Sequence, residues 1–116
     1  MPHIHLETTA DLPENADVPD ILDALTDCLS NFESISSASI KAYHSLRSVW
    51  TMGEGAPPGF AHCTIGILSG RSEPLRREIA DGMYHVLIDC FPQSREAGEI
   101  SITLELREMD PATYRK

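Results

Sequence analysis

The residue best suited to chemistry in this chain is its second. Once Met1 is removed, Pro2 presents a secondary amine whose direction is fixed by the ring. An exposed α-amino group titrates near ~7.7–8.0. Desolvation disfavours the ammonium form and lowers that value, and nearby cations lower it further. A base near neutrality is what proton abstraction next to a carbonyl requires. With Met1 in place, Pro2 has only an amide nitrogen, so the expectation depends on one processing step. In most proteins a proline at position 2 is merely a small residue exposed after cleavage. Here it enters a strand directly and shares a strand face with Ile4 and Leu6. Partner segments supply cations at Lys41 and Arg71.

Arg71 lies between Gly70 and Ser72, at the expected start of a helix. Free backbone N–H groups there favour anions, and an arginine fork can hold a carboxylate through two bonds. A cation at a helix start is mildly unfavourable, which favours a functional reason for this one. Lys41 stands on a strand, on the face opposite Ile40. A lone strand lysine is usually solvent-facing; as a second carboxylate contact it would act as a flexible point charge. His3 and His5 share a face two residues apart, a spacing that could grip a metal. No further cysteine or carboxylate spacing supports such a site, and no metal is expected. His62 falls in an apolar strand and reads as a hydrogen-bonded core histidine. His44 and His85 belong to no clear constellation. There is no glycine-rich phosphate loop, no Gly-x-Ser-x-Gly elbow and no basic-aromatic stripe.

The elements that must position these groups follow from periodicity. Residues 2–8 alternate, which predicts a strand. Val18, Ile21, Leu22, Leu25, Cys28, Leu29 and Phe32 recur at three- and four-residue steps, which predicts a helix with Asp17 as its N-cap. Residues 38–46 alternate again. Met52–Gly59 holds three glycines and two prolines and reads as a loop. Phe60–Leu68 reads as a strand buried on both faces. Ser72 is a good N-cap, Pro74 suits a first turn, and Leu75, Ile79, Met83, Val86, Leu87, Cys90 and Phe91 form a second stripe. A Pro-Gln-Ser turn follows. Ile100, Ile102, Leu104 and Leu106 then alternate with polar residues in the clearest strand, and Asp110–Lys116 is a polar tail.

The order is β-α-β, loop, β-α-β. Ile21, Leu25, Leu29 and Phe32 map onto Leu75, Ile79, Met83 and Val86, each 54 residues further on. Two copies of one unit are therefore expected, about 2–46 and 60–107, within a single domain of residues 1–116. Side by side they make an α/β (α+β) fold: a four-stranded mixed sheet with two helices on one face. The other face is left uncovered, which predicts an oligomer.

Composition narrows the function. The 116 residues suit one domain. A net charge of −9 repels phosphate backbones and anionic lipid, so neither nucleic acid nor membrane is an expected partner. An anionic ligand must be held by a few local cations against that field. No apolar run reaches the ~20 residues of a membrane span, and the polar opening is no signal peptide. Cys28, Cys63 and Cys90 form no Cys-x-x-Cys pair and read as small core residues in a reducing compartment. The expected location is cytoplasmic.

The sequence also resembles the tautomerase superfamily, and within it the 5-carboxymethyl-2-hydroxymuconate isomerases. Met1-Pro2-His3 with Glu7, the Ile40-Lys41 strand, Trp50-x-Met52 before a glycine loop, Phe60-x-His62 and Gly70-Arg71-Ser72 carry the resemblance, in order along nearly the whole chain. It implies a β-α-β-β-α-β protomer, a homotrimer and an enzyme without cofactors. Its members convert a 2-hydroxymuconate derivative to the 2-oxo isomer in bacterial breakdown of an aromatic compound. By position, Pro2 would be the base and Arg71 a substrate-carboxylate contact. Relatives have arginines where this chain has Lys41 and Tyr43, so Lys41 would hold one carboxylate and Tyr43 would donate a hydrogen bond. The expected substrate class is an unsaturated 2-hydroxy or 2-oxo carboxylic acid. Two other readings use the same fold: a dehalogenase or decarboxylase with Pro2 as acid, and a non-catalytic oligomeric module that binds small molecules.

Overall fold

The alternation that opens the chain becomes a strand because Ile4 and Leu6 find apolar partners on one face. In a computed structural model that describes residues 1–116, β1 runs His3–Thr9, with Pro2, Ile4, Leu6 and Thr8 buried and His3, His5 and Glu7 half-buried on the other face. The order continues with α1 (Val18–Ser30), β2 (Lys41–Arg47), β3 (Gly59–Leu68), α2 (Glu73–Asp89), a short α3 (Pro92–Glu96) and β4 (Ile100–Met109). Short 3₁₀ turns at Pro13–Asp17 and Ser37–Ser39 lie between β1 and β2.

The four strands form one mixed sheet in the order β2-β1-β3-β4. β1 and β2 are parallel, β3 and β4 are parallel, and the central pair β1 and β3 is antiparallel. Both long helices pack on one face. Ile21, Leu25 and Leu29 of α1 and Ile79, Met83 and Leu87 of α2 meet Ile4, Leu6, Ala61, Cys63, Ile65 and Ile67 of the sheet. Each such side chain contributes on the order of 1.5–3 kcal/mol on burial. The opposite face, with His3, His5, Tyr43, His62 and Thr64, carries no helix.

Four local expectations change. Asp17 does stand at the N-cap of α1, but its side chain makes no capping bond. The preceding 3₁₀ turn supplies the acceptor instead, with the Val18 N–H bonded to the Asn15 carbonyl. Residues 37–39 form the second 3₁₀ turn, so β2 begins at Lys41. The Pro-Gln-Ser turn winds into α3. β3 is not buried on both faces: its odd-numbered residues are buried from Gly59 to Ile67, and its even-numbered ones are half-buried on the open face. Ser72 caps α2 as expected, accepting from the Leu75 N–H at 3.3 Å.

The 54-residue offset describes the helices alone. β1 buries even-numbered residues and β3 odd-numbered ones, so the strands need an odd offset. The link from β1 to α1 is eight residues, against four from β3 to α2. Gly59 opens β3 where an added Cβ would lie 2.6 Å from Thr9 Oγ1 and from the Asp11 carboxylate, so a larger residue there must push both side chains aside.

The longer link has a use. It carries Glu14, which is only 5% exposed, to the start of α3. There its carboxylate accepts from the Ser94 N–H at 2.9 Å and from the Ser94 hydroxyl. Burial by itself would raise the Glu14 pKa. Hydrogen bonds from Ser94 and from the N–H groups of Glu14 and Gln93 outweigh it and hold the pKa below the usual carboxylate range. Glu14 thus ties the first half of the chain to the second. Glu14→Gln should destabilise the fold by about 1–3 kcal/mol in urea unfolding near neutral pH. The folded protein binds this proton more weakly than the unfolded chain does. The contribution is therefore complete above the unfolded value and is lost as pH falls through the lower folded one. The gap between wild type and variant should narrow in acid.

Candidate active site

Pro2 is fixed by the strand that follows it. Its carbonyl accepts from the Lys41 N–H at 3.0 Å, which anchors the chain start to β2. The ring is buried on the helix-covered side of the sheet. Beside it opens a cavity of about 320 Å³, formed where the chain start meets the end of β3 and the segment after α1. Ile35 and Ile67 give it apolar walls, Ser34, Ser36 and Ser39 give it hydroxyls, and Arg71 gives it a positive charge. No carboxylate lines it. An anion entering here meets a local field opposite in sign to that of the whole protein.

Arg71 reaches this cavity because the chain turns sharply between β3 and α2. Gly70 adopts φ +120°, which an L side chain resists. The guanidinium is then held by three bonds: Nε to Ser34 Oγ at 2.9 Å, Nη2 to the Ser34 carbonyl at 3.1 Å and Nη1 to the Leu68 carbonyl at 3.0 Å. A guanidinium has five N–H donors, so one remains on each Nη. Ser34 was invisible to sequence reasoning, since nothing in a Glu-Ser-Ile loop announces an arginine partner 37 residues away.

The electrostatics disfavour the charged form of the amine at the chain start. The Met1 amine is held below its ordinary value first by burial, then by the positive charges of Lys116, Arg71 and Lys41. Met1 is half-buried and Pro2 buried, so loss of Met1 moves the amine one residue inward, toward stronger desolvation. Lys41 is exposed at the start of β2 and acts on the amine through its charge. Lys116 lies in what reads as a mere polar tail.

Tyr43 lies elsewhere. It projects from β2 onto the open face, 45% exposed. Its ring stacks on His5 with centroids 4.9 Å apart and meets His3 edge-on at 6.4 Å. With His62, Glu7 and Arg107 these residues line a second cavity of about 480 Å³. Within one protomer, then, Pro2 and Arg71 share a cavity, and neither Lys41 nor Tyr43 lines it. His62 is hydrogen-bonded, to Thr103 Oγ1 at 2.7 Å, but on this open face and not in the core. His5 Nε2 is engaged by Ser45 Oγ and His3 Nε2 by Tyr114 Oη, each at 2.8 Å. The cysteines do sit in or against the core. Burial pushes the Cys63 thiol up to about 12 and raises Cys28 and Cys90 as well, so none offers a ready thiolate.

A four-stranded mixed sheet built from two β-α-β units, with its long helices on one face, is the fold of the tautomerase-superfamily isomerases. Comparison with known proteins carries this further. The family model for 5-carboxymethyl-2-hydroxymuconate isomerase matches residues 2–116, and the chain belongs to that family. It is 23% identical over 112 residues to the 5-carboxymethyl-2-hydroxymuconate Delta-isomerase of Escherichia coli, covering 96% of this chain and 89% of that one. A crystal structure of a 5-carboxymethyl-2-hydroxymuconate isomerase from Deinococcus radiodurans R1 is similar at a TM-score of 0.89 and 29% identity, covering 99% of this chain and 87% of that one. A fused 4-OT symmetric trimer shares the fold at a TM-score of 0.73 and 16% identity, over 98% of this chain and 90% of that one.

Ser34→Ala should loosen Arg71 without unfolding the protein. The Arg71 Nε–H signal, followed by nitrogen NMR, should exchange with water markedly faster than in wild type. Global stability should change by less than about 1.5 kcal/mol, the typical net worth of one hydrogen bond. Unchanged exchange would mean that Ser34 does not hold the guanidinium.

Proposed function

We propose that the protein moves a proton within an unsaturated 2-hydroxy or 2-oxo carboxylic acid, with Pro2 as general base after loss of Met1. The observation that carries this reading is a buried Pro2 sharing a cavity with Arg71, whose guanidinium keeps two N–H donors for a ligand. One carboxylate of the substrate takes those donors. The Pro2 nitrogen accepts the proton of the 2-hydroxyl. The O–H electron pair becomes the carbonyl π bond, the conjugated system shifts along the chain, and a distant carbon takes the proton back from the ammonium. Oxidation state is unchanged throughout. Arg71 and Lys41 draw electron density toward the carboxylate end, and positioned charges of this kind are worth several kcal/mol in a desolvated site.

Lys41 stands close enough to the chain start to serve as a second carboxylate contact. Tyr43 faces away from the Pro2 cavity of its own protomer, so its hydroxyl has a substrate role only if another protomer's site reaches it. A homotrimer supplies that arrangement, and the helix-free sheet face supports assembly. The same reading takes the chain as one domain of two β-α-β units, needing no cofactor and working in the cytoplasm on intermediates of aromatic-compound breakdown. No helix is long and apolar enough to cross a membrane.

Ketonisation of a 2-hydroxymuconate-type dienol, followed by ultraviolet absorbance, tests the assignment. Pro2→Ala should lower kcat/KM by about 10²-fold or more. Arg71→Ala should raise KM by about 10- to 100-fold, the worth of hydrogen bonds to a charged group. Equal rates for wild type and Pro2→Ala would remove Pro2 from the mechanism. Intact mass of the active protein should show the loss of one methionine.

A further inference from the structure

The cavity beside Pro2 is lined by donors that the protein itself does not use. Four carbonyls around it are already engaged. The Pro2 carbonyl accepts from the Lys41 N–H, and the Ser36 carbonyl accepts from both the N–H and the hydroxyl of Ser39. The Ser34 and Leu68 carbonyls each accept from Arg71. The three serine hydroxyls that line the cavity differ from one another. That of Ser39 donates to the Ser36 carbonyl at 2.7 Å. That of Ser36 caps nothing, although it precedes a 3₁₀ turn. The Ser34 oxygen accepts from Arg71 Nε–H at 2.9 Å, so its own hydrogen points away from the guanidinium and is free to donate. In a guanidinium fork, Nε–H and one Nη2–H share an edge. Ser34 fills that edge with its hydroxyl oxygen and its carbonyl. A carboxylate arriving at Arg71 is left the Nη atoms, with the Ser34 hydroxyl beside them.

We propose that Ser34 is a substrate-contact residue: while Arg71 holds the carboxylate, the Ser34 hydroxyl donates to the oxygen on the neighbouring carbon. The pair then recognises the 2-hydroxy or 2-oxo carboxylate head as one unit. The proposal rests on the proton-transfer reading above and adds to it the group that tells a 2-oxygenated acid from a plain one. Three features single out Ser34. It touches Arg71, as the 2-oxygen lies next to the carboxylate in the substrate. It accepts from a charged N–H, which polarises its O–H and makes it a stronger donor than a free serine. It also shares the cavity with Pro2, the group that takes the 2-hydroxyl proton. As that proton leaves, negative charge gathers on the 2-oxygen before the carbonyl forms. A hydrogen bond from Ser34 opposes that charge, and the serine keeps its own proton throughout. Ser34 is exposed, so its bond to the ligand replaces one to water. The expected discrimination is that of a single hydrogen bond, about two- to tenfold.

The test uses ligands that bind without turnover. Adipate and 2-hydroxyadipate are the saturated skeletons of muconate and 2-hydroxymuconate, and they differ only in the 2-oxygen. Isothermal titration calorimetry on the Met1-free protein gives the ratio of their dissociation constants. Wild type should bind 2-hydroxyadipate about threefold or more tightly than adipate. Ser34→Ala should weaken both ligands, because Arg71 is loosened, and should also lower the ratio by about two- to tenfold. The ratio is the readout: a serine that only holds Arg71 affects both carboxylates alike and leaves it unchanged. Ser34→Thr keeps the hydroxyl and should keep the ratio. A wild type without preference would overturn the proposal. So would a wild-type ratio in Ser34→Ala, a lowered ratio in Ser34→Thr, or a larger fall in Ser36→Ala than in Ser34→Ala. Neither ligand has a diene to rearrange, so the Ser34 contact can fail while Pro2 remains the base. Equally, the contact can hold if Pro2→Ala proves fully active in the dienol assay.

Discussion

One constraint organises the molecule: Pro2, the residue that leads into β1, must be buried. Pro2 has no N–H to donate, and its carbonyl is taken by the Lys41 N–H, so its backbone makes the one strand bond open to it. Its ring then continues the apolar row of Ile4 and Leu6 under the helices. An amine placed there is desolvated, and desolvation selects the neutral base. The pairing of β1 with both β2 and β3 follows from the same need, because a chain start flanked on one side only would fray. β2 brings Lys41, and the far end of β3 leads through Gly70 to Arg71.

The electrostatic logic is local. A protein of charge −9 has no general attraction for a carboxylate. The Pro2 cavity nevertheless contains no acid, one arginine and three serines. Arg71 is kept in place by uncharged partners, Ser34 and the Leu68 carbonyl, and not by a salt bridge. Its charge is therefore not neutralised before substrate arrives. An arginine paired with Asp or Glu would be as well ordered and far weaker as an anion site. The carboxylate that the fold does bury, Glu14, is placed at the opposite end of the logic. It joins the two halves through Ser94, and it does not line the Pro2 cavity.

Most of the frame was legible in the sequence because its signals are periodic. The alternation of Ile4 with Leu6, the stripes from Ile21 to Leu29 and from Ile79 to Leu87, and the run from Ile100 to Leu106 each specify an element and its buried face. The nearness of Pro2 and Arg71 was legible too, since the start of β1 and the turn after β3 meet at one end of the central, antiparallel strand pair. What escaped is what depends on tertiary contact. Ser34 matters only because Arg71 folds onto it. Glu14 reads as an ordinary acid near a helix start until α3 arrives beside it. Tyr43 alternates on the same face as Lys41, yet it lies two residues further along β2, among the residues of the second cavity. The tail has no periodicity at all, and the contact of Tyr114 with His3 leaves no mark in it. The mistaken capping role of Asp17 has the same origin, because a 3₁₀ turn satisfied the helix start before any side chain was needed.

The account stands or falls on the state of one nitrogen. Nitrogen NMR of protein labelled at proline and freed of Met1 gives the titration of the Pro2 amine directly. The midpoint should lie below that of an exposed α-amino group, so that the amine is largely unprotonated at neutral pH. A midpoint at or above the exposed value would make Pro2 an acid or a bystander, and would contradict its role as the base.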